Sequence, residues 1–191
     1  MRISAGEFKG RKIGSKKLFT KRAGKDDLRP TPAKVREAIF DILRSEIEGA
    51  SLLDLYAGTG TIGIEALSRG TASVVFVESV RPRAKAISDL IDKLNLASRT
   101  AVHCEETEIF LKRASLTGET YDIIFADPPY ASSEIEKILP LIDKYGILDA
   151  QGVLLCEHGA KVVVPEASGR LKLKKQYRYG DTRLALYRKE L

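Results

Sequence analysis

Asp54-Leu55-Tyr56-Ala57-Gly58-Thr59-Gly60-Thr61-Ile62-Gly63 follows the apolar run Ser51–Leu55 and opens the helical pattern Thr61–Ser68. Gly58 and Gly60 allow a tight bend whose bare backbone can approach a ligand. Gly63 lets the helix lie close against the strand. The spacing also fits a dinucleotide fingerprint, or a plain strand–helix turn. Asp54 separates these readings. A carboxylate four residues before Gly58 disfavours a pyrophosphate and suits a ligand carrying sulfonium and ammonium charge, as S-adenosylmethionine does. Tyr56, Ala57 and Thr59 complete the bend as candidate cofactor-binding positions.

Downstream, strands and helices alternate. Val74–Val77 reads as a strand ending at Glu78, and Arg81–Leu96 as a helix with Ala84, Ile87, Ile91 and Leu94 on one face. Thr100–Cys104 is a strand and Glu106–Ala114 a short helix. Tyr121–Ala126 is a strand, Ile135–Tyr145 a helix and Gly152–Cys156 a buried strand. Leu171–Tyr179 and Thr182–Arg188 alternate around Gly180-Asp181 and read as an antiparallel pair. Upstream, Thr31 and Pro32 open a helix expected to reach about Ile47, with Val35, Ile39, Ile42 and Leu43 inward. This alternation predicts an α/β fold, with a mostly parallel sheet covered on both faces. Ligands bind such sheets at the carboxyl ends of the strands, where Asp54, Glu78, Glu105, Glu106 and Asp127 fall. Glu78 suits the two hydroxyls of a ribose. Glu106, or the backbone beside it, suits an adenine amino group, unless both glutamates simply begin the next helix.

Asp127-Pro128-Pro129-Tyr130 is the most specific signal. Two prolines fix the backbone after a strand. A carboxylate and a carbonyl are then held beside an aromatic ring, a set that grips a planar amino group by hydrogen bonding and stacking. Such an amine is a poor nucleophile. Hydrogen bonds to its protons aim its lone pair at a methyl donor, and in-line positioning supplies much of the rate. An ionised Asp only accepts hydrogen bonds. It therefore matches the adjacent N1–H and N2–H of guanine better than adenine's acceptor–donor edge.

The charge is unevenly spread. Residues 1–36 carry twelve Lys/Arg against three Asp/Glu, and residues 170–191 carry eight against two, while the middle is acidic. Basic ends imply a polyanion partner. Lys9, Arg11, Lys12, Arg29 and Arg36 are the candidate RNA contacts, in a basic extension over residues 1–30 ahead of a Rossmann-like domain over 31–191. No run approaches a membrane span or a signal peptide, so the cytoplasm is the expected compartment. Cys104 and Cys156 are expected as buried free thiols, His103 and His158 as structural, and no metal site is expected.

Together these residues resemble the bacterial 16S rRNA guanine-N2 methyltransferase family of the RsmD type over almost the full length. The resemblance rests on Arg2-Ile3-Ser4-Ala5-Gly6, Gly10-Arg11, Arg29-Pro30-Thr31, Val35-Arg36-Glu37 and Phe40. It continues through the glycine bend, Glu65-Ala66-Leu67-Ser68-Arg69-Gly70, Glu78 and Asp127-Pro128-Pro129-Tyr130. It implies a seven-stranded class I methyltransferase fold with an antiparallel C-terminal strand. It also implies S-adenosylmethionine as donor, S-adenosylhomocysteine as product, and a guanine of the small ribosomal subunit or its assembly intermediate as target. A monomer is expected. The competing readings are an adenine-N6 methyltransferase acting on DNA or RNA, a dinucleotide oxidoreductase, which leaves Asp127–Tyr130 without a role, and a non-catalytic RNA-binding protein.

Overall fold

The computed structural model describes residues 2–13, 31–129 and 133–190. The helices are α1 (Ala33–Ile42), α2 (Thr61–Ser68), α3 (Arg81–Leu94), α4 (Thr107–Thr117) and α5 (Glu134–Lys144). The strands are β1 (Ser51–Leu55), β2 (Ser73–Val77), β3 (Thr100–His103), β4 (Tyr121–Ala126), β5 (Leu148–Gly159), β6 (Ala167–Ser168), β7 (Leu171–Tyr179) and β8 (Thr182–Lys189). They form one sheet in the order β3-β2-β1-β4-β5-β8-β7-β6. The first five strands run parallel, and β8 inserts antiparallel beside β5. The two-residue β6 adds an eighth strand at the edge, too short to leave a periodic signal in the sequence.

β1 sits between β2 and β4, so the chain reverses its direction of travel across the sheet there. A crevice opens beyond their carboxyl ends. Ile39, Phe40, Ile62, Ile87 and Ile91 from α1–α3 cover one face, and Phe110, Leu111, Ile138, Leu139 and Ile142 from α4 and α5 cover the other. α1 stops short of Ile47. The chain turns so that the Gly49 amide reaches the Gly70 carbonyl (2.9 Å) while Ile47 stays buried. α3 stops at Asn95, which takes a left-handed cap (φ 58). β5 outruns Gly152–Cys156 because Leu148 pairs with Tyr121 and residues 157–159 pair with β8. Cys156 is buried, its thiol pushed up to about 12 by burial. Cys104, expected inside, is exposed, since it follows β3 rather than ending it.

Residues 2–13 are part of the core. Ile3, Phe8 and Ile13 are buried with Phe40, Ile64 and Leu67. The attachment is a carboxylate: Glu65, fully buried on α2, accepts from the Ser4 hydroxyl (2.5 Å) and from the Ser4 and Ala5 amides (3.0 and 3.1 Å). Arg69 and Arg36 neutralise it at 3.2 and 3.7 Å. Gly6 lies on the last turn of α2, where a Cβ would stand 1.6 Å from the Ser68 carbonyl oxygen. Among the described residues no helix is long and apolar enough to cross a membrane.

Candidate active site at the carboxyl ends of the strands

The bend after β1 is built from strained backbone. Tyr56, Gly58 and Gly60 all take positive φ (59, 55 and 70), which costs a side-chain-bearing residue such as Tyr56 free energy. Backbone and side-chain hydrogen bonds hold it. The Ala57 amide donates to the Val77 carbonyl (3.0 Å), the Gly60 amide to the Ala57 carbonyl (2.7 Å) and the Tyr56 hydroxyl to Glu134 (3.2 Å). At Gly63 a Cβ would stand 2.2 Å from the Phe76 ring, so only glycine lets α2 lie this close to β2. Asp54, buried beneath the bend, accepts from the Gly63 amide (3.0 Å) and ties β1 to the first turn of α2.

Glu78 ends β2 and accepts from the Gly58 and Val80 amides, each at 2.8 Å. The Arg83 guanidinium lies 3.9 Å from the same carboxylate. Glu105 is turned to Arg113 (2.7 Å), while Glu106 stands exposed at the N-cap of α4. Asp127 leaves β4 half-buried, its amide reaching the Leu55 carbonyl (3.4 Å), with Pro128 buried and Pro129 exposed behind it.

The sequence reading missed Glu157. β4 and β5 pair Ala126 with Cys156, which sets Asp127 and Glu157 side by side at the next position. Glu157 is 1% exposed and accepts from the Thr31 hydroxyl (3.4 Å). Its only sequence signal is one acid closing an apolar run. Burial holds the Asp127 carboxyl well above its usual range, and Glu157 and Asp54 push the same way. Burial, with a contribution from Glu78, pushes Asp54 up to about 7, although the Gly63 amide opposes the shift. Carboxylates that raise one another in this way fit a cationic ligand and repel an anionic one. Together with the open backbone of the bend, this arrangement fits a sulfonium donor.

The expected RNA contacts do not gather here. Lys9, Arg11 and Lys12 are exposed, but they lie with the segment docked on the last turn of α2. The eight residues of α2 put them about 12 Å further from the bend. Arg36 is a correction. It is 4% exposed and serves Glu65 inside the protein, so its charge is not offered to a phosphate. Arg29 and Tyr130 lie outside the described residues. Among the described residues no group of three His, Cys, Asp or Glu is arranged to hold a metal.

The family described as "Conserved hypothetical protein 95" matches residues 1–188. The chain is 34% identical to "Putative rRNA methyltransferase YlbH" of Bacillus subtilis (strain 168) over 189 residues, 99% of each chain. It is 26% identical to "Ribosomal RNA small subunit methyltransferase D" of Escherichia coli (strain K12), covering 100% of this chain and 90% of that one. The solved structure "Putative methyltransferase yhhF from Escherichia coli" superposes with a TM-score of 0.82 at 29% identity, covering 100% of this chain and 98% of that one.

Proposed function

From the premise that the chain belongs to the conserved hypothetical protein 95 family, we propose that it is an S-adenosylmethionine-dependent rRNA methyltransferase acting on the exocyclic N2 of a guanine in 16S rRNA. The observation that carries this reading is the adjacency of two subsites. The Asp127 carboxylate, fixed by Pro128 and Pro129 at the end of β4, lies within electrostatic reach of Asp54 under the glycine bend.

When bound, S-adenosylmethionine supplies an electrophilic methyl on a sulfonium and leaves as S-adenosylhomocysteine. The chain's residues position the partners. The backbone of Tyr56–Gly60 lines the donor side, and the Glu78 carboxylate at the end of β2 accepts ribose hydroxyls. Glu106, exposed at the N-cap of α4, serves the adenine amino group, since Arg113 engages the Glu105 carboxylate. On the acceptor side, Asp127 accepts N–H from the amine, a backbone carbonyl of the Pro-Pro turn takes a second, and Tyr130 stacks on the base. Asp127 aims the nitrogen lone pair and need not deprotonate the amine first. A carboxylate that only accepts favours guanine. The small subunit or its assembly intermediate is the substrate, the protein acts as a monomer in the cytoplasm, and the basic extension, residues 1–30, supports RNA contact.

The test is transfer of radiolabelled methyl to small subunits lacking the modification, followed by nucleoside analysis. N2-methylguanosine is expected. N6-methyladenosine would replace guanine by adenine as the target. Binding of RNA and S-adenosylhomocysteine without transfer would make the chain a non-catalytic RNA-binding protein. Free 16S rRNA run beside subunits identifies which form is used.

A further inference from the structure

We propose that Arg183 and Arg178, packed in one row with the buried His158, form a phosphate-binding pair that holds the RNA backbone where it passes around the strand ends from the target base. The inference rests on the methyltransferase reading only for the identity of that base.

Three observations carry it. The first is register. β5 pairs His158 with Arg183, and β8 pairs Arg183 with Arg178. Residues directly opposite in antiparallel strands project from the same face, so the three side chains form one row across three strands. The second is position. His158 comes one residue after Glu157, so the row begins at the carboxyl end of β5 but on the opposite face of the sheet from Glu157 and Asp127, the face that α4 and α5 cover. With strands roughly 4.8 Å apart, Arg183 stands about 10 Å from the end of β4 and Arg178 about 14 Å. A nucleic-acid strand whose base reaches Asp127 meets them by passing around the strand ends.

The third observation is unmet electrostatic demand. Two arginines face each other across β7 and β8, an arrangement that costs stability when nothing neutralises it. Among the described residues neither is within ion-pair distance of a carboxylate, and Arg178 donates only to the Gly180 carbonyl (3.4 Å). His158 is 2% exposed, and its Nε2 is buried with no hydrogen-bond partner among the described residues. Its Nδ1 meets the Gly159 carbonyl at 3.1 Å. A carbonyl only accepts, so Nδ1 carries the proton, and Nε2 becomes a donor only as the imidazolium. Burial and the neighbouring Arg183 disfavour that cation, so His158 stays neutral behind the pair and the two arginines carry the row's charge. A phosphate is acceptor-only, matches the guanidinium fork and carries the charge the row lacks.

The test compares the wild type with Arg178→Gln, Arg183→Gln and Arg183→Lys. Three quantities are read: the KM for unmodified small subunits, the salt dependence of binding to a 16S rRNA transcript, and the affinity for S-adenosylhomocysteine. Each glutamine variant should raise KM about tenfold. Each should also lower the slope of log K against log salt by about 1, with cofactor affinity unchanged. Arg183→Lys should keep the slope and recover part of the KM, since the charge remains and the fork is lost. Arg178 is exposed, so its variant decides the matter if Arg183→Gln fails to fold. Unchanged slope and KM in a folded Arg178→Gln would overturn the row. Wild-type RNA binding without methyl transfer would sink the enzymatic reading, and the slopes would still judge the phosphate site. A wild type that binds no RNA would overturn both.

Discussion

In the proposed mechanism, chemistry and cofactor affinity divide between Asp127 and Asp54. Replacing Asp127 by Asn keeps the shape and replaces one acceptor oxygen by a donor that opposes the amine's N–H. We expect kcat to fall by about 100-fold or more, with affinity for S-adenosylhomocysteine unchanged in calorimetry. A loss of less than threefold would remove Asp127 from the acceptor site. Asp54 makes a pH prediction whose sign follows from burial. Its folded carboxyl is raised to about 7 from an ordinary value of 3.8. The stability it contributes is therefore present below pH 3.8 and lost as pH rises through 7. A cationic donor favours the ionised form, so its affinity should rise about tenfold from pH 6 to pH 8. S-adenosylhomocysteine, which lacks the sulfonium charge, should show a shallower rise. Equal slopes for the two ligands would mean that Asp54 holds the α2 turn and nothing else. Sequence reasoning reached both aspartates because they stand next to glycine or proline motifs. It misplaced Arg36, since an arginine at a helix start looks exposed until the buried Glu65, twenty-nine residues on, is seen beside it. It missed Glu157 for the related reason that only the pairing of β4 with β5 brings it to Asp127.

At the scale of elements, α2 joins the ligand bend at its first turn to the N-terminal segment at its last. Glu65 makes that joint, with Ser4, Ala5, Arg69 and Arg36 around a fully buried carboxylate. Glu65→Gln leaves the buried Arg36 and the partly exposed Arg69 without their counter-charge and should cost about 3 kcal/mol in denaturant unfolding. A cost below about 0.5 kcal/mol would show that the joint is solvated. Deleting residues 2–13 removes Ile3, Phe8 and Ile13 and so uncovers Phe40, Ile64 and Leu67. That truncation should therefore lower both the thermal midpoint and cofactor affinity, where a detachable RNA arm would lower RNA affinity alone. The lysines and arginines of this segment pointed to RNA, whereas its three apolar residues settle its packing. Elsewhere the elements were legible wherever apolar periodicity ended at glycine or proline: Ser51–Leu55, Thr61–Ser68, Tyr121–Ala126 and Leu171–Tyr179 form over the expected residues. The ends of α1 and β5 were not, because they are set by the Gly49–Gly70 contact and by pairing with β8, neither of which leaves a local pattern.

Over the whole molecule, the charge split acquires a direction. The acidic middle of the chain supplies the carboxylates that converge on the donor pocket, and the basic ends lie outside it. Lys9, Arg11 and Lys12 sit beyond the last turn of α2, while the Arg178–Arg183 pair sits at the catalytic edge. One RNA must then reach around the side of the domain to touch both. Contacts this far apart should act independently. The Lys9→Gln, Arg11→Gln, Lys12→Gln triple variant should lower the salt slope of RNA binding by up to about 3, one for each phosphate lost. Combining it with Arg178→Gln should add the two decrements. The methylated nucleotide should not move, because phosphate contacts orient the RNA and the pocket at Asp127 chooses the base. Cofactor affinity should stay nearly independent of salt in every variant, since the buried carboxylates proposed to receive the sulfonium are poorly screened. A triple variant with the wild-type slope would confine the footprint to the carboxyl edge and leave residues 2–13 with their packing role alone.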